Sequence, residues 1–125
     1  MVAPQIIHTS KAQITILDDG ICYFLYQKNV HLELEDYLET HAVLKDLSYD
    51  QSYKILVEFQ KHTTISVEAR KYAEETEIET TAQALVLHTL AHRIIGRFYY
   101  LIHRQKFPLK IFNNKDDALK WLRNV

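Results

Sequence analysis

The last third of the chain, from RIIGRFYY (Arg93 to Tyr100) to PLKIFNNKDDALKWL (Pro108 to Leu122), constrains the fold more than any other stretch. A long run at helical spacing leads into the short apolar run LKIF, and then into an amphipathic segment opened by Asn114. Helix, buried strand and closing helix in that order are the finishing units of a layered α/β sandwich. The pattern specifies an architecture and carries no chemistry of its own.

The rest of the chain extends the same alternation. Ala12 to Leu17 places Ala12, Ile14 and Ile16 on one face and Gln13 and Thr15 on the other, a half-buried strand. Asp19-Gly20 supplies a tight turn, and ICYFLY (Ile21 to Tyr26) returns as a strand apolar on both faces, hence central in its sheet. From about His31 to Leu47 the spacing is helical, with Leu34, Tyr37, Leu38, His41 and Ala42 on one side. After a polar break at Ser48 to Ser52, YKILVEF (Tyr53 to Phe59) is a strand and QKHTTI a loop, and VEARKYAEE a helix capped by Ser66 with Ile65, Ala69, Tyr72 and Ala73 inward.

Ala82 to His88 reads as a buried strand, followed by a helix capped by Thr89 that ends near Arg104, before Phe107-Pro108. Leu90, Ala91, Ile94, Phe98, Leu101 and Ile102 form its core stripe, and Gly96 interrupts it. Leu109 to Phe112 is a fifth strand. Asn114 caps the final helix, which turns Ala118, Trp121 and Leu122 inward. The order β-β-α-β-α-β-α-β-α predicts one α/β domain over 1–125: a sandwich with about five strands in a mixed, mostly parallel sheet, flanking helices and one antiparallel edge. No internal repeat, linker or low-complexity segment is expected.

Composition narrows the function classes. A net charge of −1 over 125 residues gives no field that steers the whole molecule to nucleic acid or an acidic membrane. The single cysteine, Cys22, excludes an internal disulfide and a multi-cysteine metal site, and its place in ICYFLY predicts a buried, inert thiol. Only two glycines, Gly20 and Gly96, occur, and neither belongs to a phosphate-cradling loop. The start MVAPQIIHTSKA is not a secretory signal, and no apolar run approaches the roughly 20 residues that span a bilayer. A cytoplasmic protein is expected.

Four segments carry a family resemblance: DDGICYFLY, ILVEFQKHTTISVEARKYAEE, RIIGRFYY and KIFNNKDDALKWL. In order and spacing they resemble the STAS-like (SpoIIAA-like) fold of bacterial anti-sigma-factor antagonists and of sulfate-transporter cytoplasmic domains. The resemblance is closer to a bacterial set of such domains of unknown function. The resemblance implies a non-enzymatic domain that regulates or scaffolds a protein partner. In the antagonist branch, a serine or threonine at the start of the helix after the third strand is phosphorylated to release that partner. The matching loop here is QKHTTIS, so His62, Thr63, Thr64 and Ser66 form the candidate switch or partner loop, although the branch's Asp-Ser-Ser signature is absent. The alternative role of these hydroxyls is to cap the helix.

Ligands in open α/β sheets bind at the carboxyl ends of the strands, an edge that here gathers Tyr26, Lys28, His88, Thr89 and His92. His88 and His92 have the spacing of a helical metal pair but lack the HExxH glutamate, and no metal or other cofactor is expected. His41 reads as a satisfied boundary residue. Arg93, Arg97 and Arg104 share one helix face and form a candidate anion stripe, the alternative being a solvated face. Ile95, Tyr99 and Ile102 widen the apolar side of that helix and suggest a homodimer contact. Nucleophile, base and acid fall into no catalytic arrangement. A second function class is a carrier of a small, lipid-like apolar ligand, with the many aromatics lining a cavity.

Overall fold

The computed structural model describes residues 5–17, 19–48, 52–75, 80–89 and 107–125. The helix expected after Thr89, with His92, Arg93, Ile95, Gly96, Arg97, Tyr99, Ile102 and Arg104, lies outside the described residues.

Strands β1 (Gln5–His8), β2 (Ala12–Ile16) and β3 (Ile21–Tyr26) pair antiparallel in succession. β4 (His31–Leu32) precedes helix α1 (Leu34–Leu47), and β5 (Tyr53–Phe59) is followed by β6 (Thr64–Ile65) and helix α2 (Val67–Glu75). β7 (Thr80–Leu87), β8 (Leu109–Phe112) and helix α3 (Lys115–Asn124) complete the described elements. The main sheet has six strands in the order β1-β2-β3-β5-β7-β8, and β4 and β6 form a separate two-stranded sheet. From β3 onward every pairing is parallel. The mixed, mostly parallel α/β sheet is therefore as the sequence predicts.

The central strands β3, β5 and β7 carry buried residues on both faces, which is why they read as largely apolar runs. On β3, Cys22 and Phe24 join Leu44 of α1 and Ile55 in one core, whereas Ile21 and Tyr23 join Leu56, Val86 and the α3 residues Ala118, Leu119 and Leu122 in the other. Helices α1 and α2 thus cover one face and α3 covers the other. Asn114 caps α3 by accepting a bond from the Asp117 amide at 2.8 Å, and Asp116 and Asp117 fall where the helix dipole favours them.

Four expectations are corrected. β1 was not read as a strand, because four residues at the start of the chain are too short to show a period; Ile7 nevertheless packs on the Ile14–Phe24 core. The helix assigned from His31 begins at Leu34, since His31 and Leu32 pair with Thr64 and Ile65 and Leu32 is fully buried. The inward face of α1 is also rotated from the expected one: Thr40 and Leu44 are buried, while Leu38 and Ala42 are exposed. The capping box at its start sets this phase, with the Glu33 amide donating to Asp36 Oδ2 at 2.8 Å.

The fourth correction concerns repetition. An internal repeat is present, with a period of 33 residues. Tyr26 pairs with Phe59, His31 with Thr64 and Leu32 with Ile65, so β3-β4-α1 and β5-β6-α2 are the same unit laid side by side. Each unit turns through a positive-φ residue at the equivalent place, Asn29 (φ 61°) and His62 (φ 62°). Asparagine and histidine are among the side chains that tolerate this left-handed region best.

Candidate functional site

The repeat brings two turns together at the carboxyl edge of β3 and β5. Their backbones are tied by the Asn29 amide donating to the Lys61 carbonyl (3.2 Å) and the Thr64 amide donating to the Val30 carbonyl (3.0 Å). The Ser66 amide donates to the Leu32 carbonyl (2.8 Å). Side chains add to the tie: Gln60 Nε2 donates to the Tyr26 carbonyl at 3.1 Å and Thr63 Oγ1 to the Gln27 carbonyl at 2.6 Å. Beneath them Tyr26 and Phe59 stack with centroids 5.1 Å apart. The two loops are held as one plate, with Lys28, Asn29, His31, Lys61, His62 and Thr64 exposed on it.

The three candidate hydroxyls divide by environment. Thr63 is buried and its hydroxyl serves the neighbouring turn. Ser66 is buried and accepts from the Ala69 amide at 3.1 Å, an N-cap bond. Thr64 is exposed, and its Oγ1 lies 2.7 Å from Nδ1 of His31. Nε2 of that imidazole faces Glu33 Oε1 at 3.4 Å. Lys11, just before β2, braces the plate by bonding the His31 carbonyl at 2.9 Å and the Asp36 carboxylate at 2.8 Å. Burial pushes the Asp36 carboxyl upward, but the bonds from Lys11 and the Glu33 amide outweigh it and hold it below its ordinary value.

The remaining edge residues part company. Tyr26 is buried and its hydroxyl pairs with Thr40 Oγ1 at 3.0 Å; burial pushes the phenol up to about 12. His88 sits on the opposite, α3 face of the sheet. There Glu58 of β5 is a buried carboxylate bridging Tyr23 Oη and His88 Nε2, both at 2.5 Å. Burial, and then the bond to Glu58, raises the Tyr23 phenol well above its ordinary value. Lys115 Nζ lies 4.5 Å from the Tyr23 ring centroid. Thr89 follows directly, with its side chain half-buried. Sequence reasoning missed this chain of contacts, although one acid in the apolar strand YKILVEF was a visible signal.

A cleft of about 40 Å³ opens between the sheet and helices α1 and α2, among Tyr26, Tyr37, Thr40, His41, Leu44 and Tyr72. His41 Nδ1 meets the Tyr72 hydroxyl at 2.6 Å, and burial, with a smaller contribution from Lys45, lowers its pKa. Cys22 is fully buried and its thiol is pushed up to about 12. Among the described residues no three His, Cys, Asp or Glu side chains gather into a metal-sized cluster. None of the described helices is long and apolar enough to cross a membrane.

Comparison with known proteins places the fold. A family model described as a domain of unknown function, DUF7793, matches residues 15–125. The chain is similar to a crystal structure of an uncharacterized DUF3478-family protein with a SpoIIAA-like fold from Shewanella loihica PV-4. Identity is 18%, coverage 96% of this chain and 92% of that one, and the TM-score 0.60. A protein of unknown function from Arthrobacter sp. FB24 has 20% identity over 95% of this chain and 98% of its own, at a TM-score of 0.36. No curated protein matches. The fold is SpoIIAA-like, as the sequence motifs imply.

Proposed function

This chain belongs to the DUF7793 family of domains of unknown function, and we propose that it is a non-enzymatic, regulatory protein-interaction domain whose contact surface is the plate formed by residues 27–33 and 60–66. The observation that carries this reading is the cross-bonding of the two turns, which fixes an exposed polar surface before any partner arrives. Pre-organisation of that kind reduces the ordering entropy that binding must overcome. Of the three hydroxyls in the loop, Thr64 is the one open to a modifying enzyme. A phosphate there would add roughly −1.5 to −2 charges to the plate. The His31 bond would be displaced, and the surface seen by the partner would change sign.

The cleft between sheet and helices is too small for a lipid-like cargo. Its volume of about 40 Å³ holds roughly three waters, whereas ligand pockets run to roughly 300 Å³ and more.

Site-specific photo-crosslinking in the native host tests the reading. A photoreactive residue at His62 is expected to give a discrete protein adduct that Thr64→Glu abolishes, while one at Lys120, exposed on α3, gives none. Absence of an adduct from position 62, or equal adducts from both positions, overturns the proposal.

A further inference from the structure

The repeat places the same two side chains on each turn: Gln27-Lys28 before Asn29, and Gln60-Lys61 before His62. The turns are in direct contact through the Asn29 amide and the Lys61 carbonyl. Both lysines lie two residues past the last paired residues of β3 and β5, Tyr26 and Phe59, where adjacent strands run roughly 4.8 Å apart. Two exposed lysines are thereby set on neighbouring ridges, an arrangement of like charges that is unfavourable in the free domain.

Two acids of the first unit are engaged elsewhere. Asp36 is bound to Lys11 and Glu33 faces His31. Glu35 and Glu68, at equivalent places in the first turns of α1 and α2, make no ion pair with either lysine among the described residues. His31 and His62 are exposed on the same two turns. The whole chain carries a net charge of −1, so this positive pair is a local feature.

We propose that Lys28 and Lys61 act as a two-pronged clamp for an extended acidic segment of the protein partner. The proposal rests on the interaction reading above and adds the chemistry of what is recognised. In an extended segment, side chains two residues apart lie roughly 6.7 Å from each other on one face. Two flexible lysines on adjacent ridges reach carboxylates at that alternate spacing.

The test is an amide-resolved NMR titration of the full chain with a seven-residue peptide alternating serine and glutamate. Expected are joint shifts of the Lys28 and Lys61 amides. Affinity should fall about tenfold for Lys28→Glu or Lys61→Glu alone, and vanish in the double variant and at high salt. Shifts centred elsewhere, or unchanged affinity in the double variant, overturn the proposal. So does an equal response to inorganic phosphate or to phosphatidylserine vesicles. A failed titration beside a positive crosslink from His62 rejects the clamp and leaves the interaction surface standing.

Discussion

Nε2 of His88 lies 2.5 Å from Oε2 of Glu58, while the other oxygen of that carboxylate receives the Tyr23 hydroxyl at the same distance. Side chains thus join the middle of β3, the end of β5 and the residue that follows β7. Glu58→Ala leaves a buried phenol and a half-buried imidazole without their acceptor and should cost about 2–4 kcal/mol. Tyr23→Phe should cost about 1 kcal/mol, and Glu58→Gln less than Glu58→Ala because one acceptor remains. Urea unfolding checks the order; a Glu58→Ala variant as stable as wild type would show that the bridge is idle.

The hydroxyls of the loop separate structure from presentation. Ser66→Ala removes a helix cap and should cost about 1 kcal/mol, and Thr63→Val a similar amount through the lost bond to Gln27. Thr64→Val, on the exposed side, should change stability by less than about 0.5 kcal/mol. A large loss from Thr64→Val in thermal or urea unfolding would mean that this hydroxyl is structural after all.

Acid should destabilise the domain in two steps. The His41 pKa is lowered below its ordinary 6.5, chiefly by burial, so the unfolded chain takes up the proton first. The stability it contributes is complete above 6.5 and declines as pH falls toward the folded value. Asp36 is held below its ordinary 3.8, so its contribution persists to lower pH and is lost as pH falls through the folded value. Urea midpoints measured against pH should show His41→Gln flattening the first decline and Lys11→Met weakening the second. A wild-type midpoint independent of pH through both windows would contradict both assignments.

Cys22 should be inert in the folded chain. With no exposed surface and a thiol pushed up to about 12, it presents almost no thiolate at neutral pH. Reaction with an aromatic disulfide reagent should require denaturant; rapid labelling of the native protein would place the residue at the surface.

What was legible in the sequence follows what local chemistry encodes. ICYFLY and YKILVEF are strands because apolar side chains on both faces need two covering layers. Ser66 and Asn114 announced their helices because a cap is a local bond. The Tyr23–Glu58–His88 bridge was not legible, since it joins β3, β5 and the residue after β7, whose register only pairing defines. His31-Leu32 passed for helix because two residues have no period, and their strand state depends on Thr64-Ile65. The repeat of Gln27-Lys28 at Gln60-Lys61 was present in the letters, yet two matched residues acquire meaning only when both turns are seen in contact.

The most direct test of the interaction account is a native mass spectrum of the protein gently purified from its own host. The account predicts a complex that dissociates into this chain and a second polypeptide, and that is missing when Thr64→Glu is purified in the same way. A bare chain, or a chain whose extra mass leaves as a lipid or other small molecule, would contradict it.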